Sequence, residues 1–186
     1  LSQLTSLTSL DLKGNLLRSL PESICQLNSL TSLNLNNNWL KLLPNTIGQL
    51  SSLITLNLQK NYLIALPASI GRLTSLTSLT LARNMLSSLP KSIGLLTKLK
   101  ILNIKENGLK SLPETIGQLT VLEELHLFHN QLKSLPDSIR QLTSLKKLSL
   151  FWNEFTPFSE DIEKFLNNLR EQGCEILDSW PDLTMD

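Results

Sequence analysis

Asparagine returns every 23 residues, at Asn15, Asn38, Asn61, Asn84, Asn107, Asn130 and Asn153. Proline keeps the same interval, at Pro21, Pro44, Pro67, Pro90, Pro113 and Pro136. A fixed period of this size marks a stacked array, in which each unit buries its apolar face only against its neighbours. The unit reads LxxLxxLxLxxNxLxxLPxxIxx, and seven copies follow one another in register. Dividing the length of 186 residues by a typical domain size is therefore meaningless here. The expected organisation is repeats over residues 1–154 and a C-terminal cap over 155–186. The first unit is entered mid-repeat: LSQLTSL aligns with ICQLNSL, so Leu1 takes the slot of Ile24, Ile47 and Ile70. A longer parent protein is expected on that ground.

The L-x-L segment has period two and reads as a short strand with both leucines inward. About 20 residues separate each strand from the next, which permits parallel pairing and forbids a hairpin. The fold class is thus α/β, with one parallel sheet of strands about 4.8 Å apart. The return path carries LPxxIxxL. Proline suits the first position of a helical turn, so a short 3₁₀ or α turn is expected there, with Ile24 and Leu27 pointing inward. Such turns are wider than strands. The stack should fan on their side and leave the sheet on a concave face. The repeated asparagine lies where the chain bends after the strand. Its buried amide needs partners, since leaving one unsatisfied costs about 1–3 kcal/mol. A ladder to its own loop and to the next unit is expected.

The pattern breaks at the end. Asn153-Glu154-Phe155 replaces N-x-L, and Pro157 replaces the proline expected at 159. In SEDIEKFLNNLREQG, Ile162, Phe165, Leu166 and Leu169 share one helical face. Ser159 fits an N-cap and Gly173 a C′ residue. Cys174 to Leu177 would add a last strand, with Trp180 folding over the end. The alternative reading makes this an amphipathic helix that binds a partner.

The full unit at residues 50–73 and 96–119, LxxLxxLxLxxNxLxxLPxxIGxL, resembles the leucine-rich repeat. It is most similar to the 23-residue type of intracellular signalling and bacterial proteins, among them Ras-pathway scaffolds, Erbin/Scribble scaffolds, Roco proteins and bacterial repeat proteins. The resemblance covers residues 1 to 155. It implies a right-handed solenoid that binds proteins through its concave face, and it brings no family-wide catalytic residues.

Function classes narrow further by composition. Seventeen basic residues against 16 acidic ones give no bulk polycation for nucleic acid or an anionic membrane. No apolar run approaches the roughly 20 residues of a membrane span. The two cysteines, Cys25 and Cys174, lie near opposite ends of an elongated array, and no N-x-S/T acceptor occurs. Both features point to a reducing, cytoplasmic compartment, with a secreted bacterial effector as the alternative. No phosphate loop, C-x-x-C or G-x-G-x-x-G is present, and no catalytic residue, metal or cofactor is expected. His126 and His129, spaced H-x-x-H, lack a fixed third ligand and read as surface histidines.

The informative positions are those that do not repeat. The column between the strand leucines reads Asp11, Asn34, Asn57, Thr80, Asn103, His126, Ser149. The next outward column reads Lys13, Asn36, Gln59, Ala82, Lys105, Phe128, Phe151, and the third reads Gly14, Asn37, Lys60, Arg83, Glu106, His129, Trp152. Phe128, His129, Phe151 and Trp152, with His126, are expected to cluster within about 5–10 Å as the centre of a protein interface. The competing reading is that Phe128 and Phe151 merely stack, or that the cap covers Trp152. The column after the asparagine begins Leu16, Trp39, Tyr62, Met85; it either packs over the loops or forms a second contact strip through Trp39 and Tyr62. Lys60, Arg83 and Lys105 are expected to form a basic diagonal, and Glu123 and Glu124 to face Lys146 and Lys147.

The expected function is protein–protein recognition without chemistry. The alternatives are the recognition arm of a larger GTPase, kinase, phosphatase or ubiquitin ligase, and a bacterial effector or surface protein that binds host targets. A monomer is expected, with a homodimer through the concave patch as the alternative.

Overall fold

A computed structural model describes residues 6–178. Eight three-residue strands form one parallel sheet in chain order. They are β1 (Ser9–Asp11), β2 (Ser32–Asn34), β3 (Thr55–Asn57), β4 (Ser78–Thr80), β5 (Ile101–Asn103), β6 (Glu124–His126), β7 (Lys147–Ser149) and β8 (Glu175–Leu177). Register follows the period: Leu33 pairs with Leu56, Leu56 with Leu79, and Leu79 with Leu102. Each strand carries the first leucine of L-x-L, and the second follows at its exit. Both are buried from the second unit on, as Leu33 and Leu35 illustrate.

Each return path makes one 3₁₀ turn, from Glu22–Gln26 in the first unit to Asp137–Gln141 in the sixth. Proline stands one residue earlier than expected. Pro21 keeps an extended backbone (φ −69°, ψ 144°), and its carbonyl accepts the Ile24 N–H at 3.0 Å. The ring therefore ends the preceding segment and aims its carbonyl into the turn, rather than occupying the turn's first position. Ile24 and Leu27 point inward as expected. Because the turns stack more widely than strands, the solenoid carries its sheet on the concave side.

The asparagine ladder forms, but it reaches backward. Asn38 Oδ1 accepts the Leu17 N–H at 3.1 Å. Its Nδ2 donates to the Leu12 carbonyl of the preceding unit at 2.9 Å and to its own Leu35 carbonyl at 3.1 Å. Asn61 repeats the set on Leu40, Leu35 and Leu58. The reason is directional. The side chain leaves the turn toward the carbonyls that the previous strand exit leaves unpaired. The buried amide thus satisfies groups that would otherwise be orphaned.

The seventh unit gives way to α1 (Glu160–Glu171). Ser159 caps it, accepting the Ile162 N–H at 3.4 Å, and Gly173 adopts φ +84° just past its end. Ile162, Phe165, Leu166 and Leu169 are buried in the common core. This overturns the partner-binding alternative for that face, because the stack itself occupies it. The helix fits a cap. β8 then pairs with β7 and extends the sheet. Trp180 lies outside the described residues.

Candidate functional site

The loop leaving each strand imposes one unusual backbone position. Gly14, Asn37, Lys60, Arg83, Glu106, His129 and Trp152 all hold φ between +54° and +71°. This is the left-handed region, which glycine enters freely, asparagine tolerates, and other residues reach at about 1 kcal/mol or more. The first two units use the inexpensive residues. The later five do not, and the last holds the bulkiest side chain of all at a position bulky residues seldom occupy. Packing does not demand Trp there, since the same turn closes on glycine in the first unit.

At this end of the concave face four rings meet. Phe128 and Phe151 stack with centroids 4.7 Å apart and planes 8° from parallel. Trp152 meets Phe128 edge-on at 6.3 Å, Phe151 at 6.0 Å and His129 at 5.4 Å. The expected clustering is present, and so is the stacking of the two phenylalanines. Trp152 nonetheless keeps 54% of its surface exposed. The Lys105 ammonium lies 5.4 Å over the Phe128 ring, a cation–π contact at the patch's edge.

His126 turns away from this cluster. Its Nε2 lies 3.0 Å from Glu124 Oε2, and its Nδ1 lies 3.5 Å from Ser149 Oγ. A carboxylate only accepts, so Nε2 donates to Glu124, and the Ser149 hydroxyl lies against Nδ1. A serine, a histidine and a glutamate in line have the topology of a hydrolytic triad, and sequence spacing gave no hint of it. However, Ser149 is 2% exposed, and 3.5 Å is the outer limit of a hydrogen bond. The set clamps the imidazole and does not present a nucleophile. Ser149 and Ala82 both belong to outward columns, yet both are buried. Among the described residues no group of three His, Cys, Asp or Glu side chains is placed to hold a metal ion.

The charges pair differently from expectation. Arg83 joins Glu106 at 2.8 Å, which breaks the basic diagonal through Lys60 and Lys105. Glu123 does bridge Lys146, at 2.6 Å, but also Lys100, at 3.1 Å. Hydrogen bonds from Lys146 and Lys100 hold the Glu123 carboxyl below the usual carboxylate range. Glu124 turns to His126, which leaves Lys147 to pair with Glu175 of β8 at 2.9 Å. The eighth strand, absent from the repeat pattern, redirects that lysine. Both cysteines are free and buried, and burial raises both thiols above their ordinary pKa.

Toward the other end, the column after the asparagine is open. Leu16, Trp39, Tyr62 and Met85 are exposed by 41% to 68%. Trp39 and Tyr62, with Arg18 and Lys41, line a groove of about 580 Å³.

A model of the leucine-rich repeat region matches residues 1–86 and 77–185. The chain belongs to the leucine-rich repeat family. Among solved structures, a leucine-rich repeat protein of Leptospira interrogans is 36% identical, with a TM-score of 0.67 over 94% of this chain and 50% of its own. An internalin of Listeria monocytogenes has a TM-score of 0.76 at 23% identity, covering 97% of this chain and 50% of its own, and shows the fold alone. A plant peptide hormone receptor, solved in complex with RGF2, has a TM-score of 0.74 at 30% identity over 86% of this chain and 29% of its own. The chain thus spans half the length of the two bacterial proteins or less than a third of the receptor. No curated protein matches it.

Proposed function

We propose that this leucine-rich repeat chain is a protein-recognition module, and that its partner docks on the C-terminal part of the concave face. One observation carries the reading: Phe128, His129, Phe151 and Trp152 form a single aromatic cluster at positions the repeat leaves free. Trp is held there, half-exposed, on a left-handed backbone that glycine serves equally well in the first unit. Solvated rings on a rigid scaffold have the composition of an interface centre. Burying one Phe or Trp contributes about 1.5–3 kcal/mol. The plant receptor, solved with a peptide hormone, supports protein or peptide ligands for this architecture. The similarity to the Leptospira protein favours a bacterial repeat protein over the arm of a signalling enzyme.

The test is selection of binding peptides against the chain, followed by Phe128→Ala with Trp152→Ala. Affinity for concave-face binders should fall more than tenfold, about 1.4 kcal/mol, while the melting temperature stays within a degree or two. A lowered melting temperature with unchanged binding would make the cluster structural and defeat the proposal.

A further inference from the structure

The overall charge of +1 hides a division along the chain. Residues 1–105 hold ten basic and two acidic residues, net +8; residues 106–186 hold seven basic and fourteen acidic, net −7. These make up the full 17 and 16. No Asp or Glu occurs between Glu22 and Glu106. Because the units stack in chain order, this division is also spatial: one end of the solenoid is basic and the other acidic.

The open apolar column lies on the basic end. Trp39, Tyr62 and Met85 each donate a backbone N–H to the preceding unit, to Leu17, Leu40 and Leu63, all at 2.9 Å. Their side chains therefore stand in a rigid file, one per unit. Ile64, 53% exposed, lies beside them. The Arg18 guanidinium sits 5.5 Å over the Trp39 ring, so the aromatic body of the groove and its cation are already positioned together. Lys41 completes the lining. Apolar rings and two cations line the groove, and Asp11 and Glu22 are the only carboxylates in the three units that form it, which specifies an occupant of complementary chemistry.

We infer that this flank is a second docking site, distinct from the concave aromatic patch, for an extended acidic segment carrying an aromatic or aliphatic anchor side chain. The anchor enters between Trp39 and Tyr62, and its carboxylates meet Arg18 and Lys41. Four units at about 4.8 Å each span about 15 Å, which an extended chain crosses in about five residues. Aliphatic Leu16, Ile64 and Met85 favour peptide side chains over stacked nucleobases, which seek aromatic platforms.

Fluorescence anisotropy with synthetic peptides of about eight residues tests this. Each peptide carries one central Trp or Leu flanked by Asp and Glu, beside matched versions with Asn and Gln and with Lys. The acidic peptides should bind, the amide versions at least tenfold more weakly, and the affinity should fall as salt rises from about 0.05 to 0.3 M. Trp39→Ala with Tyr62→Ala should weaken binding at least tenfold. Arg18→Gln with Lys41→Gln should flatten the salt dependence. Phe128→Ala with Trp152→Ala should leave binding unchanged, which separates this site from the concave one. All four flank side chains are solvent-facing, so melting temperatures verify that the variants fold. The inference is overturned if no acidic peptide binds, if amide versions bind equally, or if only the Phe128/Trp152 variant loses binding. It is equally overturned if a short oligothymidylate binds more tightly, or if sedimentation gives self-association that the flank variants abolish.

Discussion

The two ends of this solenoid share one scaffold and almost nothing else. β2 to β4 and β5 to β7 superimpose in register, with the same buried leucines and the same asparagine bonds. On the surface, the first carry small polar strand residues, an open apolar flank and basic charge. The second carry clustered rings on the strand exits, ion pairs across units, and acidic charge. The lesson is that a repeat separates stability from recognition position by position. Slots that face a neighbouring unit must be the same in every copy, because every copy has the same neighbour. Slots that face solvent are released from that constraint.

If that separation holds, the largest effects should be equal at the two ends. Leu56→Ala and Leu125→Ala each delete a fully buried strand leucine, at 1% and 0% exposure, and should each destabilise by about 2–5 kcal/mol in urea unfolding. A difference of several kcal/mol between them would mean that the scaffold is not uniform. Next, Asn61→Ala removes four bonds from a buried amide and should cost about 2–3 kcal/mol. Asn15→Ala loses only exposed bonds to its own loop, at Leu12 and Lys13, and should cost a few tenths, roughly the value of a surface substitution. Thermal melts of the pair measure how much of the ladder's worth comes from reaching the preceding unit.

Smaller effects sharpen the contrast. Lys60→Asn relieves a left-handed backbone at an exposed position and should raise stability by about 0.5–1 kcal/mol. Trp152→Asn relieves the same backbone but removes its contacts with Phe128, Phe151 and His129, so its gain should be smaller or absent. A clear gain at Trp152, with loss of a selected binder, would mark that residue as kept for recognition at the expense of stability. The smallest effect is a pH dependence confined to the acidic end. Lys146 and Lys100 hold the Glu123 carboxyl below its unfolded value, so it stabilises the fold above about pH 4.3, the ordinary Glu pKa. That stability is lost as pH falls through the depressed folded value. Glu123→Gln should flatten acid unfolding slightly as pH falls below the ordinary glutamate range, whereas no carboxylate between Glu22 and Glu106 exists to do the same at the basic end.

Sequence alone determined the parallel sheet, the 23-residue register, the C-terminal helix with its Ser159 and Gly173 ends, and the four rings of the aromatic cluster, though not the departure of His126 from it. All of these follow from periodicity, and periodicity is a statement about neighbours: whatever recurs at a fixed interval in a stack touches its own copy. Total charge misled for the same reason. It sums over a chain whose linear order is also its spatial order, and the opposite signs of the two ends cancelled. Tertiary structure alone decided what breaks the period. The asparagines reach backward because the unpaired carbonyls lie behind them. Lys147 abandons Glu124 because a last strand, outside the repeat, offers Glu175. Ser149 and Ala82 stand in outward columns of the repeat and are nonetheless buried. The left-handed turn beneath Trp152 carries no sequence signature, since the sequence fills that slot with seven different residues. Only the backbone geometry reveals that five of the seven are held there against their own preference.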